Sequence, residues 1–256
     1  MINPRAYSAK DPQAMIKEAD DARLRELEES LKHETRASVL SALAAAKRRQ
    51  TRREEELARV GALYDEMVRL GGSGVVLGVD EVGRGSVAGP LTVAAVALPL
   101  EPKILGLNDS KKLTPKRREE VAANIAEVAT AIGIAHIPPA DIDDYGMAAM
   151  LRRAMEEAIE DSGVAFDAVL IDGNPVHVSD KEVCVIKGDG KVACIAAASI
   201  VAKVTRDHLM IDYDAVYPGY HFAESKGYAS AAHIEAIRTL GLSEIHRATF
   251  CENFLI

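Results

Sequence analysis

Apolar residues recur at helical spacing through the first seventy positions of the chain. Ile16, Leu24, Leu27 and Leu31 form one stripe, Val39, Leu40 and Leu43 continue it, and Leu57, Val60, Tyr64 and Met67 form another, all within a frame of Glu, Asp and Arg. That spacing predicts amphipathic helices. Between the stripes lies Lys47-Arg48-Arg49-Gln50-Thr51-Arg52-Arg53, followed by Glu54-Glu55-Glu56. Two readings fit this run: a solvated helix face supported by Glu–Arg pairs, or an arm that touches nucleic acid. Gly71-Gly72-Ser73-Gly74 then breaks the pattern. It predicts a boundary between a helical extension, residues 1–73, and a second domain, residues 74–256.

Beyond that boundary the period changes. Residues 75–82 and 91–98 read as strands joined by a short connection, hence as antiparallel neighbours. Thr114-Pro115 supplies an N-cap and a first-turn proline for a helix running to about residue 131. A strand over 132–137 is stopped by Pro138-Pro139, and a helix over 147–161 ends near Gly163. Residues 166–171 read as a buried strand with Asp172-Gly173 at its tip, and 183–186 as one more short strand. An Ala-rich helix over 191–214 and another over 230–240, ending at Gly241, complete the chain. Antiparallel strands followed by strand–helix alternation predict an α/β domain with a mixed sheet.

At 256 residues the chain has room for one full domain and a smaller appendage. With 4% aromatic residues and no Trp, its core must be built from Ala, Val, Leu and Ile. No apolar run approaches the roughly 20 residues that span a bilayer. The opening Met1-Ile2-Asn3-Pro4 soon turns charged, unlike a secretory signal. Cys184, Cys194 and Cys251 show no paired spacing and read as reduced thiols of a cytoplasmic protein. The net charge is −8, yet residues 1–73 hold 14 Lys+Arg against 13 Asp+Glu. The acidic excess therefore lies in the second domain, where carboxylates could be neutralised by bound cations. Basic groups remain at Lys111-Lys112, Lys116-Arg117-Arg118, Lys187, Lys191, and Lys203 with Arg206. A nucleic-acid ligand would be held by such local patches, and the affinity would be weak and salt-sensitive.

Carboxylates placed at the ends of apolar strands carry the candidate chemistry. Asp80 and Glu81 follow Val75-Val76-Leu77-Gly78-Val79, Asp172 follows Val169-Leu170-Ile171, and Asp189 sits in Lys187-Gly188-Asp189-Gly190. Buried charge at a strand end is costly unless something compensates it. Acids from separate strands can meet at one sheet edge, where Mg²⁺ or Mn²⁺ would find the hard oxygen ligands it prefers. Consecutive strand residues face opposite ways, so Asp80 and Glu81 reach one site only through a bulge, a turn or a backbone carbonyl. The glycines of Gly83-Arg84-Gly85 allow a ligand close to the backbone. This loop precedes the strand-like segment 91–98 rather than a helix, which argues against a phosphate-binding P-loop. No H-E-x-x-H or G-x-S-x-G pattern occurs.

The ordered set of motifs resembles bacterial ribonuclease HII from Val75 onward. It comprises Gly78-Val79-Asp80-Glu81-Val82-Gly83-Arg84-Gly85, Asn108-Asp109-Ser110-Lys111-Lys112-Leu113, Leu170-Ile171-Asp172-Gly173-Asn174 and Lys187-Gly188-Asp189. Ala197 to Asp207, Ser225-Lys226-Gly227-Tyr228 and His246-Arg247-Ala248-Thr249-Phe250 follow. Ser225 stands where many relatives carry Asn, and Ala229 where Gly is common. The resemblance implies a ribonuclease H-like fold: a mixed five-stranded sheet flanked by helices, with a helical C-terminal portion and the N-terminal helical extension. It implies an endonuclease acting on RNA–DNA hybrids and on single ribonucleotides embedded in duplex DNA. Asp80, Glu81, Asp172 and Asp189 become the acids holding two Mg²⁺ or Mn²⁺ ions, and Asp207 falls to a structural role. Gly83, Arg84 and Gly85 would sense the ribose 2′-hydroxyl, and Tyr228 would pack on a neighbouring sugar. Lys111, Lys112, Ser199 and Lys203 are candidate phosphate contacts, and a monomer is the expected state.

Overall fold

A computed structural model describes residues 10–255. The reading of Met1-Ile2-Asn3-Pro4 lies outside the described residues. The chain divides into two compact units, the first ending at Arg59 and the second beginning at Val60.

The first unit contains α1 (Lys10–Glu18), α2 (Asp21–Ser30) and most of α3 (Ala37–Gly71). Asp20 caps α2 by accepting from the Arg23 amide. Ile16, Leu24, Leu27, Leu31, Val39, Leu43 and Ala46 close a small core of their own. The helices expected from the periodicity are therefore present, although Leu40 and Leu57 of the expected stripes are exposed, and the Lys47–Arg53 run lies inside one continuous helix. Gly71-Gly72 ends that helix, as the glycines predict.

The second unit is organised around five strands: β1 (Val76–Val82), β2 (Leu91–Ala97), β3 (Ala131–Ile137), β4 (Ala168–Asp172) and β5 (Glu182–Val185). Their order is β3-β2-β1-β4-β5. β1–β2 and β2–β3 are antiparallel, while β1–β4 and β4–β5 are parallel. This is the mixed five-stranded sheet expected. The helices are α4 (Pro115–Val128), α5 (Pro139–Tyr145), α6 (Met147–Asp161), α7 (Ala193–Val216), α8 (Phe222–Ser225), α9 (Ala231–Leu240) and α10 (Ala248–Cys251). Thr114 caps α4 and Ser230 caps α9, both through their hydroxyls.

Alternation along the strands builds two cores, one on each sheet face. Val76 of β1 and Ala94 and Val96 of β2 join α7, α4 and the segment Val60–Met67 on one face. Leu77, Val79, Val93, Ala95, Val169 and Ile171 join α5 and α6 on the other. α7 lies so close to β1 that a Cβ on Gly78 would sit 2.2 Å from the Cys194 carbonyl carbon. A strand glycine here serves helix-to-sheet packing. Cys184, Cys194 and Cys251 are all free, and no described helix is long and apolar enough to cross a membrane.

Three expectations need adjustment. Pro138-Pro139 ends β3 but also opens α5, with Pro139 in its first turn, where a missing N–H costs nothing. The helix expected to reach about residue 131 stops at Val128, because Ala131 already pairs with Ala97. The β1–β2 register continues unbroken through Asp80↔Ala94, Glu81↔Val93 and Val82↔Thr92, so no bulge turns Asp80 and Glu81 to one side.

Candidate active site

Parallel pairing of β1 with β4 runs Val79↔Ile171, which leaves Asp80 and Asp172 at adjacent carboxyl ends of the sheet. Ligands bind at such ends in open α/β sheets. Beyond β5, Lys187 adopts a left-handed conformation and a short turn over Gly188–Gly190 carries Asp189. The Gly188 amide donates to Asp172 Oδ1 at 2.6 Å, tying that turn to β4.

Asp80 is buried, 6% exposed, and faces α7. Its pKa is pushed well above the ordinary value, first by burial and then by Glu81 and Asp172, against a hydrogen bond from Ser199. Glu81 is raised by burial, with Arg84 opposing; its Oε1 lies 3.6 Å from Arg84 Nη1. Asp189 is raised by burial, then by Asp109 and Asp172, with Lys111 opposing. The four sequence-predicted acids thus feel one another, with Asp172 common to all three of the others.

Two hollows flank them. A cavity of about 200 Å³ is lined by Asp80, Glu81, Ser110, Lys111, Ser199, Lys203 and Tyr228. A cleft of about 440 Å³ on the α6 side is lined by Glu81, Arg84, Asp172, Asn174, Arg152 and Met155, among others. Glu81 borders both, which is how adjacent strand residues facing opposite ways serve one region. Lys112 pairs with Asp109 at 3.7 Å. Lys203 is bound to Asp207 at 2.5 Å, and Arg118 approaches the same carboxylate at 3.5 Å. Asp207 therefore sits in a half-buried ion-pair group.

The residues fit a divalent cation by donor chemistry: hard carboxylate oxygens carrying an excess of buried negative charge. Among the described residues no three such side chains stand together closely enough to hold an ion, and like charges without a counter-ion have reason to stay apart.

In the loop after β1 the two glycines of Gly83-Arg84-Gly85 differ in surroundings. A Cβ on Gly83 would lie 2.3 Å from Arg206 Nε, and its φ is +85°. Glycine is needed there by a protein side chain and by the backbone conformation. Gly85 has nothing within 4 Å of a built Cβ, so only that glycine faces open space. Arg206, read as part of a basic patch, is 0% exposed. Arg247 is equally buried. The burial of both escaped sequence reasoning, and Asp109 and Ser110 were given no role there beyond their motif. Ser110 Oγ lies 2.9 Å from Ser199 Oγ. Asp109 caps the turn Ser110–Lys112 through the Lys111 amide; its position beside the lysines in Asn108-Asp109-Ser110-Lys111-Lys112 was the available signal.

Mixed sheet order, with acids at the carboxyl ends of its central parallel strands, defines a ribonuclease H-like fold. The ribonuclease HII family model matches residues 77–253, and the chain belongs to that family. It is 40% identical over 252 residues to ribonuclease HII of Enterococcus faecalis, covering 98% of this chain and 97% of that one. The Geobacter sulfurreducens ribonuclease HII is 48% identical over 176 residues, 68% of this chain and 81% of that one. In structure, the chain is similar to ribonuclease H2 of Pyrococcus horikoshii, with TM-score 0.59 and 25% identity over 70% of this chain and 98% of that one. The fold is shared with a Bst ribonuclease HIII in complex with Mn²⁺, with TM-score 0.56 and 21% identity, covering 71% of this chain and 68% of that one. The protein is therefore a hydrolase, a ribonuclease H, of a divalent-metal-dependent family that acts on RNA–DNA hybrids.

Proposed function

We propose that the chain cleaves the RNA strand of RNA–DNA hybrids and nicks on the 5′ side of single ribonucleotides in duplex DNA, leaving 3′-OH and 5′-phosphate ends. The observation that carries this reading is that one cavity is lined by acids, lysines and Tyr228 together, a combination suited to a phosphodiester backbone and its sugar. Asp80, Glu81, Asp172 and Asp189 would hold two Mg²⁺ or Mn²⁺ ions. When bound, such ions make water a nucleophile at neutral pH and neutralise charge on a departing oxygen.

The chain's own groups bind and orient. Lys111, Lys112, Lys203 and Ser199 would contact phosphate oxygens, and Lys203 is held ready by Asp207. Gly83, Arg84 and Gly85 would read the 2′-hydroxyl, the group that distinguishes RNA from DNA. Tyr228, 39% exposed, would pack on the neighbouring deoxyribose. Residues 74–256 would form the catalytic domain and residues 1–73 a helical extension, in a cytoplasmic monomer serving ribonucleotide removal.

Incubating the protein with Mg²⁺ or Mn²⁺ and a duplex bearing one ribonucleotide tests this directly. The expected product is a single nick 5′ to the ribonucleotide with extendable 3′-OH ends. No nick, or a nick on its 3′ side, would overturn the reading.

A further inference from the structure

Two guanidinium groups, Arg206 on α7 and Arg247 just before α10, are each 0% exposed. Among the described residues neither forms an ion pair; their donors go to oxygens of the loop 83–90 and its neighbour Lys226. Arg206 donates to Pro90 O at 2.8 Å, Lys226 O at 2.7 Å, Ala88 O at 2.9 Å and Ser86 Oγ at 2.8 Å. Arg247 donates to Gly89 O at 2.9 and 3.2 Å and to Arg84 O at 3.1 Å. Burying two like charges without a carboxylate is an expensive way to hold a loop. Arg247 has its pKa lowered to about 10, by burial and then by Arg206. Such a cost calls for a return that neutral residues would not supply.

The geometry of the turn gives that return. The Gly83 carbonyl accepts from the Ser86 amide at 3.3 Å and from Ser86 Oγ at 2.8 Å, and that hydroxyl is itself held by Arg206. The next carbonyl, Arg84, is held by Arg247. Across a trans peptide the N–H of the following residue points opposite to the C=O. Carbonyls of Gly83 and Arg84 turned toward buried partners therefore turn the amides of Arg84 and Gly85 the other way. Those two residues are the exposed members of the loop. Among the described residues neither amide has an acceptor. A cation on the oxygen side also polarises the peptide and strengthens the N–H as a donor.

We propose that Arg206 and Arg247 are positioning residues for ribose recognition, aiming the adjacent Arg84 and Gly85 amides at the 2′-oxygen of the substrate. This rests on the proposed reading of the loop as the ribose sensor, and adds what sets its direction. Lys at position 247 keeps the charge but loses the planar fork that reaches two carbonyls at once.

The test compares Arg247→Lys, Ser86→Ala and wild type binding a duplex with one ribonucleotide and its all-deoxy counterpart, by fluorescence anisotropy in Ca²⁺. Wild type should favour the ribonucleotide duplex. Arg247→Lys should reduce that preference about tenfold, the worth of roughly one hydrogen bond, with affinity for the all-deoxy duplex unchanged. Ser86→Ala, a small change that keeps both arginines, should lose a lesser share and carries the test should Arg247→Lys not fold. Ile125→Ala, a buried truncation on α4, controls for general destabilisation and should keep full preference. Full preference in both loop variants, or equal loss in Ile125→Ala, would overturn the inference. Equal binding of both duplexes by wild type would instead overturn the underlying reading of the loop.

Discussion

The loop after β1 and the acids at the end of β1 are separated by Val82 alone, yet they are held in opposite ways. In the loop, carbonyl oxygens meet buried donors: Arg206 and Arg247 serve Arg84, Ala88, Gly89 and Pro90, while Gly83 is served by Ser86. At the acids the charges oppose one another; Asp80, Glu81 and Asp189 are all raised by burial, and Asp80 and Asp189 next by neighbouring carboxylates. In the first region these carbonyls have their partners within the protein. The second concentrates buried like charge, which the proposed cations would neutralise. A recognition surface benefits from being built in advance, whereas a metal site needs uncompensated charge to attract its ion.

The largest effect should come from relieving the second region of charge. Asp80→Asn removes a buried charge while keeping a partner for Ser199. Turnover on a ribonucleotide-containing duplex should fall by roughly a thousandfold or more. Stability should move the other way. A carboxyl whose folded pKa is raised favours the fold most at low pH and loses that contribution as pH rises through the folded value, so at pH 7 the charge is destabilising. In EDTA, Asp80→Asn should therefore melt above wild type, and added Mn²⁺ should raise its Tm less. A variant that melts lower in EDTA would contradict this picture of the acids.

Next come the two glycines. Gly83→Ala places a Cβ against Arg206 in a left-handed backbone, and should cost about 3 kcal/mol of unfolding free energy. Gly85→Ala meets no atom and has no positive φ. Its stability should stay within about 0.5 kcal/mol of wild type, while cleavage at an embedded ribonucleotide drops because the methyl occupies the ligand's approach. Urea denaturation together with cleavage assays separates the two; equal destabilisation would erase the contrast between a glycine kept for the fold and one kept for a ligand.

That contrast also marks what could be read from the sequence. Asp80, Asp172 and Asp189 were legible because each follows an apolar strand and adjoins a turn, and those patterns are local. The sheet was legible for the same reason, and so was the cap Thr114. Arg206 was not, since an arginine within an Ala-rich helix carries no local mark of total burial, and its partners lie in a loop far back along the chain. The reason for Gly83 was hidden with it. α5 was missed because Pro138-Pro139 signals a strand stop and a helix start equally well.

A buried histidine pair behind Tyr228 sharpens the comparison through pH. His233 and His246 are buried, with Nε2 atoms 3.1 Å apart. The Ser243 amide donates to His246 Nδ1, and His233 Nδ1 lies 2.9 Å from the Tyr228 carbonyl. The chain is satisfied with both rings neutral: His246 Nε2–H donates to His233 Nε2, and His233 Nδ1–H to Tyr228. Burial lowers His246 to about 4, with His233 adding to the shift. Its contribution is present above the unfolded value of about 6.5 and is lost progressively as pH falls toward 4. Between pH 7 and pH 5 the loss should be about 2 kcal/mol. Urea midpoints should fall over that interval in wild type, and much less in His246→Gln; equal slopes would show that the pair does not govern acid sensitivity.

The smallest effect expected is at the exposed end of that chain. Tyr228 borders the cavity of Asp80 and Lys203, and its ring centroid lies 5.7 Å from the Arg206 guanidinium carbon. The buried cation thus backs the aromatic face as well as the loop. An aromatic contact with a nucleotide is worth about 1–3 kcal/mol. Tyr228→Ala should accordingly cost about tenfold in kcat/KM, and should weaken the preference for an RNA-to-DNA step when cleavage sites are mapped. Tyr228→Phe retains the ring and should retain the preference. Because Tyr228 holds His233 through its backbone carbonyl, neither substitution should change the pH dependence of stability. A Tyr228→Ala variant with wild-type site choice would leave the ring a packing role only, and recognition would then rest on the amides of the preceding loop.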